Sequence, residues 1–152
     1  MKFRSISTLS YIFFGIALTV LNSTAARAAS HQASANITNN TGVTIQTATL
    51  KFSPSIFPNQ DRTANWANIP TNQGTAPALG IIYNTDFVGT PIRTRWRVQF
   101  KVKNSPKTCS IDATHPMGIK DAANIATVRI FGNGTAKIIS VGNLTNTTYT
   151  CN

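Results

Sequence analysis

Ile92-Arg93-Thr94-Arg95-Trp96-Arg97-Val98-Gln99-Phe100-Lys101-Val102-Lys103 is the stretch that decides the fold. Ile92, Thr94, Trp96, Val98, Phe100 and Val102 alternate without a break against Arg93, Arg95, Arg97, Gln99, Lys101 and Lys103. Successive side chains on a strand point to opposite faces, so this period of two sorts an apolar row from a cationic row, which no helix face does. The segment is expected to be a half-buried β-strand, with Trp96 in the core and Arg93, Arg95, Arg97, Lys101 and Lys103 in a line about 33 Å long on the other side.

Around it the chain is rich in Thr, Asn, Ser, Val and Ile, the composition of strands and turns. Shorter strands are expected at Ile37 to Asn39, Val43 to Phe52, Gly80 to Asn84, Thr108 to Asp112, Ile125 to Phe131, Thr135 to Val141 and Thr147 to Cys151. Within the second of these the apolar parity changes between Ile45 and Ala48, which predicts a bulge near Gln46 and Thr47. Gly132-Asn133-Gly134 separates two apolar β-branched runs and reads as a hairpin turn. Many short strands with turn chemistry between them point to an all-β fold: a small antiparallel β-sandwich, Ig-like or jelly-roll-like, with a barrel as the alternative. Ser53 to Leu79, with Pro54, Pro58, Pro70 and Pro77, is expected to be mostly loop and a place to look for a binding surface. One helical turn is expected around Ile119 to Ala123.

The N-terminus reads as an export signal. Lys2 and Arg4 form a positive start, Tyr11 to Leu21 is apolar but too short to span a bilayer, and Ala26-Arg27-Ala28 supplies small residues for cleavage. Residues 1–28 are therefore expected to be a signal peptide, and 29–152 a single β-rich domain whose first residues, 29–35, are a flexible leader. No later run is long and apolar enough for a transmembrane helix. The expected location is the periplasm or the outside of a bacterial cell. The two cysteines, Cys109 and Cys151, are expected to form one disulfide there.

Charge narrows the function. Losing Lys2, Arg4 and Arg27 takes the formal net charge from +10 to +7, with four Asp and no Glu in the chain. Neighbouring like charges about 7 Å apart along the central strand repel by about 0.6 kcal/mol in bulk water before salt screening. Four carboxylates neutralise only part of that, so the strip is expected to face solvent or an anionic ligand, for which guanidinium forks are well suited. Lipopolysaccharide, acidic lipid or acidic glycan are the expected partners, with peripheral membrane contact included. Nucleic acid is disfavoured by compartment. The alternative is a structural or protein-recognition module, an adhesin subunit, effector or inhibitor, bound through a strand edge. Plain solubility is the bland explanation of the same charges.

Catalytic chemistry has little to work with. His31 falls in the leader and His115 precedes Pro116 in an expected loop, where Asp112 and Asp121 are the nearest carboxylates. No zinc, calcium, nucleophile-elbow or phosphate-loop spacing is present, so no enzyme, metal or cofactor is expected. Trp66, with Phe57 and Tyr83, flanks the proline-rich stretch, and Trp66 is a candidate ligand contact there. Asn36, Asn39, Asn133, Asn143 and Asn146 each begin an Asn-x-Thr triplet, a match that an Asn/Thr-rich chain produces by chance.

Overall fold

A computed structural model describes residues 29–54, 60–85 and 90–152. The expected signal peptide and Phe57 lie outside the described residues. Ten strands are ordered along the described chain: β1 (Ser30–Asn40), β2 (Ile45–Pro54), β3 (Arg62–Ile69), β4 (Leu79–Asn84), β5 (Ile92–Val102), β6 (Cys109–Met117), β7 (Ile125–Phe131), β8 (Thr135–Ser140), β9 (Asn143–Thr148) and β10 (Thr150–Cys151). They form two five-stranded sheets, one in the order β4-β1-β7-β8-β9 and the other β10-β6-β5-β2-β3. The sheets pack face to face as an all-β sandwich, and the barrel alternative does not apply, because each sheet is open-edged.

The decisive strand sits where the alternation predicted. β5 lies in the middle of its sheet, antiparallel to β2 and β6. Thr94, Trp96, Val98 and Phe100 are buried, and Arg93, Arg95 and Gln99 are exposed. Trp96 meets Phe52 of β2 edge to face at 5.1 Å between ring centroids, an arrangement that suits the ring quadrupoles. Leu50, Val98, Phe100 and Ile111 from this sheet close the core against Ile37, Val128, Ile130 and Ile138 from the other. The polar atoms of Trp96 and Thr94 in this core are satisfied locally. Trp96 Nε1 donates to Thr94 Oγ1 at 2.8 Å, and that hydroxyl donates in turn to the carbonyl of His115 at 2.8 Å.

The register of β2 shifts between Ile45 and Thr47, at the expected bulge. β7 and β8 form the expected antiparallel hairpin. Its turn is tight for two reasons: Gly134 takes φ +83°, and a Cβ on Gly132 would stand 2.5 Å from the carbonyl oxygen of Thr41. The helical turn is a short 3-10 segment, Ile119–Asp121.

Four expectations fail, the first being the single strand at Thr147 to Cys151, which is divided between β9 in one sheet and β10 in the other. Residues 30–35 are not a flexible leader but the first half of β1, an 11-residue strand held between β4 and, in the one parallel pairing among the described strands, β7. Ser53 to Leu79 is not loop throughout: about half of its described residues are strand, because β3 runs through it as the edge partner of β2. His115 is not in a loop but on β6, fully buried. Cys109 and Cys151 are a register pair between β6 and β10 and form a disulfide.

Candidate anion-binding face

The outer surface of the β10-β6-β5-β2-β3 sheet is built by the residues that alternate with the core row. Cross-strand register sets its rows. Ser53, Arg95 and Thr114 stand side by side, then Lys51, Arg97 and Asp112, then Thr49, Gln99 and Ser110. Arg93 extends the β5 line at one end, opposite Pro116, and Lys101 extends it at the other, opposite Thr47. Lys103 follows just past the strand end, its backbone N–H donating to Thr44 O at 2.8 Å.

Two carboxylates partly neutralise this face. Asp112 accepts both Nε and Nη2 of Arg95, at 2.8 and 2.5 Å, in a bidentate fork. Arg97 Nε approaches the same carboxylate at 3.9 Å, too far for a hydrogen bond. The Arg95 hydrogen bonds hold the Asp112 carboxyl below the usual carboxylate range, against a smaller opposing effect of desolvation. Lys51 pairs with Asp61 at 2.8 Å, and this contact lowers the Asp61 carboxyl in the same way. Arg93, Lys101 and Lys103 make no ion pair among the described residues. Five cations on this face and Lys103 just past its central strand, against two carboxylates, leave four net positive charges there, with the Arg95 and Arg97 side chains still 52% and 41% exposed.

Trp66 is placed elsewhere. It lies on β3 opposite Ala48, on the core-facing parity, and packs half-buried against the core edge. Its Nε1 donates to the carbonyl of Pro77 at 2.9 Å. There it forms one wall of a groove of about 590 Å³ between β3 and the 73–80 segment, separate from the cationic line.

His115 and Asp112 are not brought together, and the buried Asp121 acts on His115 only through its charge. Asp112 lies on the outer face of β6 and His115 three residues on lies on the inner one. The imidazole is held between hydroxyls, Nδ1 to Thr145 Oγ1 and Nε2 to Ser140 Oγ, both at 2.9 Å, tying β6 to β9 and β8. Burial pushes its pKa down to about 4, with Asp121 acting in the opposite direction. A neutral imidazole of that pKa is a weak base at neutral pH. Among the described residues no group of three His, Cys, Asp or Glu is arranged to hold a metal. Asn39, one of the triplet asparagines, is completely buried and so closed to a glycan.

Lys51 and the clamping role of Asp112 were not legible in the sequence. Both depend on register, which brings residues 51, 97 and 112 into one row, and a single sequence shows alternation but not cross-strand partners. No protein-family model matches this chain, and no curated protein matches it significantly.

Proposed function

We propose that this is an exported, non-enzymatic binding protein that uses the outer face of the β10-β6-β5-β2-β3 sheet against an anionic surface or ligand. The observation that carries this reading is the surplus of four positive charges on that face after both of its ion-paired carboxylates are counted. Long basic stems on a solvent face serve solubility equally well when they are spread about. Here they stand in one line at strand spacing, a self-repulsive arrangement that an anionic partner relieves. The disulfide is compatible with an oxidising compartment, and among the described residues no helix is long and apolar enough to cross a membrane. Periplasm or secretion from a bacterium is the location that accords with the N-terminal sequence.

The test removes and restores charge. Arg93→Gln, Arg95→Gln and Arg97→Gln together should weaken binding to heparin, lipopolysaccharide or acidic-lipid vesicles by at least about tenfold and flatten the salt dependence, because fewer counterions are released. Asp112→Asn should act oppositely, freeing both arginines. Salt-insensitive binding, unchanged in both variants, would contradict the proposal.

A second reading, a protein partner that adds a strand, is favoured by the groove along β3, which among the described strands pairs only with β2. A protein ligand bound equally well by the triple Gln variant would belong to that reading.

A further inference from the structure

We infer that the ligand of the cationic face is a linear acidic polysaccharide lying along β5, held by two separated groups of unpaired cations, Arg93 at one end and Lys101 with Lys103 at the other. This rests on the anion-binding reading above and goes further, because the distribution of charge along the strand distinguishes one kind of polyanion from others.

The line is not uniform. In its middle, Asp112 clamps Arg95 and stands beside Arg97, so two guanidinium groups share one carboxylate and present a single surplus charge. The following position on the same face is Gln99, which is neutral. The cations unpaired among the described residues are left at the two ends, and at about 3.3 Å per residue Arg93 and Lys101 are separated by about 26 Å, with Lys103 in the turn just beyond. A single phosphate or carboxylate group engages one end. Only an extended chain carrying anions at intervals engages both, and it then gains the effective-concentration advantage of a two-site ligand.

The groups between and beside the charges select the chemistry of that chain. Thr49 and Ser110 flank Gln99, Ser53 and Thr114 flank Arg95, and Thr47 stands beside Lys101. These are hydroxyl and carboxamide groups at regular spacing, able both to donate to and to accept from sugar hydroxyls. No aromatic residue stands on this face among the described residues, so it offers no platform for stacking nucleic-acid bases. Nor does it offer a large apolar side chain to insert into a bilayer: the apolar residues on it are Ala67 and Pro116. The exposed large hydrophobic residues, Val43, Ile119, Ile125, Val141 and Leu144, are all outside it. A flat polar face with charge at its two ends fits an acidic glycan better than a lipid surface.

The experiment is a length series. Size-fractionated heparin fragments with extended lengths from about 10 to about 50 Å are titrated into the protein, beside phosphatidylglycerol vesicles and inorganic polyphosphate. Affinity should rise at least about tenfold as the fragment length passes about 26 Å, and then level off. Arg93→Gln should abolish that rise, and Lys101→Gln with Lys103→Gln should abolish it too. Long glycan should displace the protein from vesicles. Equal affinity for short and long fragments, or vesicle binding that glycan fails to compete, would overturn this inference while leaving an anion-binding face in place. Polyphosphate binding with the same length threshold and higher affinity would overturn the choice of a glycan. Failure of every probe to bind would overturn the anion-binding reading itself.

Discussion

Buried polar side chains define the two ends of this sandwich. Asn39, at the end of β1, donates from Nδ2 to the carbonyls of Val43 and Ile69, both at 2.8 Å, and accepts at Oδ1 from the Thr41 N–H at 3.0 Å and the Thr41 hydroxyl at 2.7 Å. One amide thereby satisfies the turn into β2 and the end of β3, which explains a fully buried asparagine in a core of aliphatic residues. His115 does comparable work between β6, β8 and β9. Its pKa is lowered by burial from 6.5 to about 4, so the unfolded chain binds this proton more readily than the folded one. The stability that depends on a neutral His115 is therefore intact above pH 6.5 and declines as pH falls towards 4, by no more than about 3 kcal/mol. Urea unfolding at pH 7 and pH 4.5 should show a loss that His115→Gln largely removes, since a carboxamide keeps hydroxyl partners and does not titrate. An identical pH dependence in the variant would rule out His115 as the source.

At the scale of the element, strands with strong side chains were legible and strands with weak ones were not. β5 announces itself by unbroken alternation, and the β7–β8 hairpin by β-branched runs around two glycines. The first half of β1 is hidden because its inward positions are Ala33 and Ala35, neither a large apolar residue, whereas Ile37 to Asn39 reads as strand. Small side chains at Ala33 and Ala35 nonetheless suit a strand packed tightly beneath the facing sheet, where they are buried. β3 is hidden among prolines that in fact flank it, since Pro54 ends β2 and Pro70 follows β3. At the candidate site the cationic row was readable from residue 93 to residue 103, whereas the Asp112 clamp was not, because it depends on pairing between β5 and β6. The two-residue β10 is too short to hold itself in a sheet, and the Cys109–Cys151 bond across a separation of 42 residues fixes it there. Replacing both cysteines by Ser should lower unfolding free energy by about 2 to 4 kcal/mol, read from the denaturant midpoint, with the greatest loss of amide protection at Thr150 and Cys151. A midpoint unchanged from that of the oxidised protein would show that strand pairing alone suffices.

Over the whole molecule, the two sheets share one core but present different outer faces. The β4-β1-β7-β8-β9 sheet shows Ile125 and Leu144 to solvent alongside Arg129 and Lys137, a mixed surface. The other sheet shows a line of cations set among hydroxyls, with its carboxylates already engaged. The strand alternation that builds the core therefore also builds the charged face: burying Trp96, Val98 and Phe100 on one side of β5 leaves Arg95, Arg97 and Gln99 on the other. A backbone-amide NMR titration with long heparin fragments addresses this claim most directly. Shift changes should concentrate on Arg93 to Lys103 and on their row partners Thr47 to Ser53 and Ser110 to Thr114, and they should fade as salt rises. Changes confined to the groove between β3 and residues 73–80, or to the β7–β8–β9 surface, would contradict it.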